Sequence, residues 1–239
     1  MLRGLYAAAT GMEAAANAHE VTSRNLAHAS VPGFRKMLST FEAMKNPHAD
    51  THEEELAGAE VKTPSFDFTS GPLNRTGAPL DLALEGDGFF VVNGPEGPLY
   101  TRSGTFELDG NGQLITPDGL PVAAASGTIT IPANTPLSEL VIGPDGTVRV
   151  GKEELGKLDI REFADPQSLK SVGATLFQAP QQLIALPSNS TVIQGVREMS
   201  NVSAVSELEN LIAAQRHYEM SQKAAVSMDR AAQKRIDLN

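Results

Sequence analysis

Residues 2–26 read LRGLYAAATGMEAAANAHEVTSRNL. Within them Leu2, Leu5, Ala9, Met12, Ala16, His19, Ser23 and Leu26 recur at alternating steps of three and four. That period places them on one side of a helix as a heptad seam, with small residues at one position and mostly larger ones at the other. Small seam residues allow a second helix to approach closely. Residues 12–31 contain neither Gly nor Pro, and Pro32-Gly33 predicts where the helix stops. The far end repeats the pattern. Leu211, Ala214, Tyr218, Ser221, Ala225, Met228 and Ala232 also step by three and four, Leu208, Ile212 and Ile236 widen the stripe, and residues 196–239 again lack Gly and Pro. Neither stripe is apolar enough for a helix buried on every side. The two ends are therefore expected to pair with each other, or with copies and neighbours in an assembly.

Between these ends the punctuation changes. Residues 71–151 hold 14 of the 21 Gly and 9 of the 15 Pro. Short apolar or alternating runs at 80–84, 89–93, 99–102, 105–108, 113–116, 129–131, 147–150 and 158–163 are separated by turn sequences such as Asp109-Gly110-Asn111-Gly112 and Pro144-Asp145-Gly146. No strand–helix alternation is visible, which argues against a parallel, Rossmann-type sheet. The predicted class is α+β, with N- and C-terminal helices forming a coiled-coil-like domain (1–45 and 196–239) and a β-rich central domain (75–195). Residues 46–74, with six acids against one base and Glu53-Glu54-Glu55 in a row, are expected to be an acidic connector.

Composition narrows the function classes. The chain has 239 residues, a net charge of −10, 41% hydrophobic and 20% charged residues, no Cys and no Trp. A basic face for nucleic acid is not expected. Disulfides, Cys-ligated zinc and thiol catalysis are excluded. The N-terminal apolar run is broken by Thr10, Gly11 and Glu13, so it does not read as a cleavable signal, and no stretch approaches the ~18 apolar residues of a membrane span.

Candidate chemistry is sparse. Asp109 opens a calcium-like loop, but position twelve is Leu120 where a bidentate Glu is needed, so a hairpin turn is expected. Gly86-Asp87-Gly88-Phe89-Phe90 lacks the Lys-Ser/Thr ending of a phosphate loop and reads as a tight turn entering a buried strand. His48 and His52 are four apart beside Asp50 and Glu53, without an obvious third metal ligand. Gly-x-Ser-x-Gly is absent, and Glu153-Glu154 sits beside turns as solvated surface. No catalytic, cofactor-binding or metal residue is assigned, and no cofactor is expected. A carbohydrate-binding or carbohydrate-processing β domain is the rival reading, but three Tyr and no Trp supply a poor sugar-stacking surface. An adaptor or chaperone coil leaves the β-rich middle unexplained.

Six stretches carry a resemblance. Residues 1–12 (MLRGLYAAATGM) and 23–35 (SRNLAHASVPGFR) resemble the N-terminal signature of flagellar rod and hook proteins, which reads like SNNLAN followed by TPGF[KR]. Residues 80–90 (LDLALEGDGFF) and 100–106 (YTRSGTF) are similar to the family's LDxAxxGxGFF and YTRxGxF. Ser200-Asn201-Val202 and residues 210–219 (NLIAAQRHYE) are similar to its SNV and xxIxxQRxYE. Arg24, His28 and Val31 depart from the pattern. The chain is thus identified as a member of the flagellar basal-body rod family. The resemblance implies a structural, non-enzymatic subunit that stacks helically into a hollow periplasmic rod, with terminal helices lining the inside. It implies export unfolded through the flagellar type III apparatus without a cleaved signal, and partners that are copies of itself and other axial rod proteins. Length favours a proximal rod protein, with a distal rod protein or a hook-basal-body-like assembly protein as alternatives. Leu5, Met12, His19, Leu26, Leu208, Leu211, Ile212 and Tyr218 are the expected core or interface residues, and Asn25, Gln215 and Arg216 the expected polar contacts that fix register between subunits.

Overall fold

Ala, Leu, Met and Glu dominate the N-terminal segment, and it folds as α1 (Leu2–Ala27). At the other end the Ser203 hydroxyl accepts from the Ser206 N–H at 3.4 Å and caps α2 (Ala204–Ile236), whose first turn carries Glu207. The computed structural model describes residues 2–45, 56–125, 127–132 and 135–236. His48, His52 and the Glu53–Glu55 run therefore lie outside the described residues. The chain divides into two compact units.

The first unit comprises Met1–Ala29, Lys36–Asp67 and Val202–Asn239. Its helices run antiparallel, with Gly4 opposite Met228 and Gly11 opposite Ser221. They approach so closely that a Cβ on Gly11 would sit 3.0 Å from the Ser221 hydroxyl oxygen. The packed face of α1 is Gly4, Ala8, Gly11, Ala15, Ala18, Thr22 and Asn25, at steps of four and three. This corrects the expected seam by one residue: Leu5, Ala9, Ala16 and His19 are exposed, and Met12, Ser23 and Leu26 half-buried. The physical reason is size. The smallest side chains give the closest backbone approach, and the larger residues one step on are turned aside. On α2 the inward residues are Glu207, Leu211, Ala214, Ser221, Ala225 and Met228, with Tyr218 at the rim.

Two antiparallel ribbons complete this unit: Lys36–Leu38 with Ser65–Asp67, and Phe41–Lys45 with Leu56–Val61. The Thr10 hydroxyl accepts from the Ala59 N–H at 3.4 Å, fastening α1 to the second ribbon. Within the described part of the expected acidic connector, Leu56–Val61, Ser65–Asp67 and the start of Leu73–Arg75 are paired strands, and Lys62 lies 3.0 and 3.4 Å from the carboxylates of Glu42 and Glu60, which face each other across the ribbon. Nor does α1 reach Pro32. It ends at Ala27, because Ser30–Arg35 belongs to the second unit.

The second unit comprises Ser30–Arg35 and Phe68–Asn201. Its main sheet is six-stranded, in the order Lys170–Ser171, Leu176–Gln178, Gly97–Thr101, Phe89–Gly94, Ile160–Glu162, Leu186–Pro187. All pairings are antiparallel. Phe89, Phe90, Val91 and Val92 are buried in succession, so this central strand is covered on both faces. Phe90 and Val92 join an aliphatic core with Leu82, Leu114, Val122, Ile129, Leu140 and Val148. Phe89 instead packs edge-on against Phe68, Phe163 and Phe177. Smaller ribbons surround the sheet, including Leu73–Arg75 with Val196–Glu198 and Leu82–Glu85 with Thr191–Gln194. The Asp109 turn closes a hairpin between Glu107–Leu108 and Leu114–Ile115, and its carboxylate accepts from the Asn111 and Gln113 N–H groups. Residues 129–131, expected as a strand, contribute only a bridge between Thr130 and Gln113 beside the Gly127–Thr128 strand.

Candidate assembly interface

The helices present apolar surface outward. Ile212 is 53% exposed, Leu208 47%, Leu5 45% and Tyr218 42%. Val205, which the sequence reading passed over, is more exposed than any of these. It lies one turn before Leu208 on the same stripe, a signal that was present in its spacing. Ala15, Ala16 and His19 of α1 and Ala214, Gln215 and Tyr218 of α2 line an open groove of about 410 Å³ along the helix pair. Gln215 donates to Glu219 along α2 at 3.3 Å. Arg216 is exposed, and Met12, Leu26 and Leu211 are half-buried beneath this surface.

Asn25 differs from its expected role. It is 1% exposed, and its amide is engaged within the chain. Its nitrogen donates to the Met37 carbonyl at 2.8 Å, and its oxygen accepts from the Met37 N–H at 2.8 Å. The same nitrogen lies 3.3 Å from a carboxylate oxygen of Glu207, whose other oxygen is 2.7 Å from the Lys36 ammonium. Asn25 thus fixes the register of α1, α2 and the Lys36–Leu38 strand inside one subunit. A short amide with a donor and an acceptor can satisfy both edges of one backbone unit, which an aliphatic residue cannot.

A second buried polar centre lies in the other unit. Arg35, Arg102 and Glu198 are at most 2% exposed. The Arg35 guanidinium donates to Glu198 at 2.5 Å and to the Thr69 carbonyl at 2.7 Å. Arg102 lies 3.7 Å from the other Glu198 oxygen and donates to the carbonyls of Gly88 and Gly86 at 2.5 and 2.7 Å. Its guanidinium stands 5.5 Å from the centre of the Phe89 ring. Burial pushes the Arg102 pKa down, opposed by the Glu198 charge. The Gly33 N–H donates to the Glu198 carbonyl at 2.8 Å, and a side chain at Gly33 would collide with Ser103. Gly33 also has a φ of +72°, which glycine adopts without strain. Sequence reasoning missed Glu198 and the structural part played by Arg35 and Arg102, although both arginines stand inside the motifs quoted above.

Both centres are contacts within the chain, and their buried charges face each other and backbone carbonyls. Among the described residues no group of three or more His, Asp or Glu could hold a metal ion, and no helix is long and apolar enough to cross a membrane.

Residues 83–150 match the family described as flagellar hook protein FlgE/F/G D1 domain, and residues 193–238 match flagellar basal body rod FlgEFG protein C-terminal. The chain is 33% identical to the flagellar basal-body rod protein FlgG of Buchnera aphidicola subsp. Acyrthosiphon pisum over 261 residues, covering 98% of each. It is 30% identical to FlgG of Borreliella burgdorferi over 256 residues, covering 96% of each. Against the rod protein FlgF of Salmonella typhimurium it is 34% identical over 245 residues, covering 96% of this chain and 95% of that one. With relatives at least 30% identical matched over 95% or more of each chain, this chain belongs to the flagellar basal-body rod protein family, as a structural subunit and not an enzyme.

Proposed function

We propose that the chain is a proximal-rod subunit that polymerises helically through its terminal helices. The observation that carries this reading is the exposed apolar surface on an antiparallel helix pair whose own seam is mostly Gly, Ala, Ser and Thr, with Leu211 and Met228 the large apolar residues in it. Burying a large aliphatic side chain stabilises by about 1.5–3 kcal/mol, and each methylene by about 0.8 kcal/mol. A seam of small residues therefore holds the pair weakly, while Leu5, Leu208, Ile212 and Tyr218 remain for neighbours to cover. Met12, Leu26 and Leu211 support that surface, His19 lines its groove, and Gln215 and Arg216 supply polar contacts to the next subunit. Coiled-coil packing of the helices is completed in the assembly, so ordering and association are coupled. Contacts that repeat head to tail grow a helix in place of a closed ring.

The proximal position is favoured by length. The alignment with FlgF of Salmonella typhimurium spans 245 positions and that with FlgG of Buchnera aphidicola 261, so fewer insertions separate this 239-residue chain from the former. A distal-rod position is the second reading, favoured by FlgG relatives of comparable identity. Periplasmic placement, terminal helices lining the rod interior and export through the type III apparatus without a cleaved signal complete the proposal.

Electron microscopy of basal bodies from an in-frame deletion strain tests it. Rods truncated at the proximal stage and restored by the wild-type copy are the expected result. Rods that lack only the distal segment would favour the second reading, and normal motile flagella would overturn both.

A further inference from the structure

Among the described residues, five buried side-chain nitrogen or oxygen atoms have no hydrogen-bond partner. Those of Arg35 and Glu198 belong to the buried charge centre. Two others, Thr105 Oγ1 and Arg197 Nε, belong to residues that line a single cleft of about 300 Å³ in the second unit. Buried polar atoms are nearly always paired, so two orphans at one cleft mark a missing partner. The same cleft is rich in donors. Thr101 Oγ1 accepts from the Ser103 N–H at 3.0 Å and Thr116 Oγ1 from the Leu120 N–H at 3.1 Å, and neither hydroxyl proton has an acceptor among the described residues. The hydroxyls of Ser103 and Thr175 have no partner there. Arg197 Nε lies 2.8 Å from Asp81 Oδ1 without an aligned hydrogen bond, and the two terminal nitrogens of the guanidinium are unpartnered among the described residues.

We infer that this cleft binds a carboxylate, which takes two hydrogen bonds from the open edge of the Arg197 guanidinium and further ones from the Ser103 and Thr175 hydroxyls. An ionised carboxylate only accepts, so it complements a wall made of donors, and a planar fork matches its two oxygens. The charges present select a monoanion. Asp81, 3% exposed, already takes up part of the Arg197 charge, and Asp118 stands exposed in the lining. A doubly charged phosphate would meet two carboxylates and one cation. The cleft is at the small end of ligand sites, which run from about 300 to 1,000 Å³, so it holds a group of side-chain size. The carboxylate is therefore that of a short free acid or of a Glu or Asp side chain on a peptide. The site uses no residue of either helix, so it stands apart from the surface through which the rod reading acts.

NMR titration of the isotope-labelled full-length chain tests this, with propionate, the blocked peptide acetyl-Gly-Glu-Gly-amide and neutral propionamide as probes. The amide signals of Ser103 and Thr175 and the side-chain N–H signal of Arg197 should shift saturably with propionate or the peptide and stay still with propionamide. Tighter binding of the peptide assigns the carboxylate to a polypeptide side chain, and tighter binding of propionate to a free acid. Arg197→Gln should weaken binding at least tenfold. Because that variant also strands the buried Asp81 carboxylate, Ser103→Ala/Thr175→Val serves as the second one. Both side chains are half-buried and unpartnered, so the melting temperature should hold while affinity falls at least threefold. Asp118→Asn removes a repelling charge and should tighten binding at least twofold. Shifts absent with both carboxylates, matched by propionamide, or unaltered in Ser103→Ala/Thr175→Val would overturn the site, and weaker binding by Asp118→Asn would overturn its choice of an anion.

Discussion

Glu198 shows what single residues decide in this protein. Its carboxylate lies between Arg35 and Arg102, all three nearly or wholly out of water. A buried ion pair is weak evidence of net stability, but removing one partner strands the other charges. Glu198→Gln should therefore destabilise the second unit by about 3–5 kcal/mol in denaturant unfolding. A loss under about 1 kcal/mol would show that water or rearrangement relieves the arginines. Asn25→Ala leaves the Met37 N–H and carbonyl without their partner, at about 1–3 kcal/mol for each buried group left unsatisfied. Its loss should appear in the helical signal on urea titration. Asp109 and Asp145 give a pH signature. The Gln113 N–H holds the Asp109 carboxyl below its ordinary value, and the Thr147 hydroxyl does so for Asp145. Because the folded pKa is the lower one, their stabilisation is present above the unfolded value of about 3.9 and fades as pH falls through the folded value. Carboxyl carbon NMR should place both midpoints below about 3.9, and a midpoint above it would remove the turn hydrogen bonds from the account.

At the scale of elements, the helix pair depends on small residues. Gly11 faces Ser221 so closely that a branched side chain cannot enter without moving α2. Gly11→Leu should separate the helices, lowering the unfolding midpoint of the first unit even though Leu is the better helix former, Gly standing about 0.8–1 kcal/mol below Ala. A rise in stability instead would mean that intrinsic propensity outweighs the packing. The opposite behaviour belongs to the outer stripe. Leu208→Ser/Ile212→Ser touches exposed positions, so purified-chain stability should shift by no more than about 0.5 kcal/mol. The same double variant should lose motility, scored on soft agar. The seam on α2 was legible from its period because one face alone packs. The seam on α1 lies one residue from the row its period predicts, since a run of Ala and Gly shows no amphipathic contrast between adjacent rows.

For the whole molecule, coupled ordering predicts that circular dichroism of the dilute purified chain shows less helix than α1 and α2 together contain, rising on assembly. Full helicity in dilute solution would make the helices independent of their neighbours. The sequence by itself determined the α+β class, the helical ends, the turn-rich middle and the family, because heptad period, Gly/Pro density and ordered motifs are local properties written along the chain. Only the tertiary structure decided that Ser30–Arg35 belongs to the β-rich unit, that Leu56–Val61 and Ser65–Asp67 are paired strands and that Asn25 turns inward. It alone brought Arg35 onto Glu198 and Asn25 onto Glu207, pairs separated by 163 and 182 residues. No periodicity reports such distances. They are set by which buried charges and amides find partners once the apolar faces have closed, and that choice is made across the fold and not along the chain.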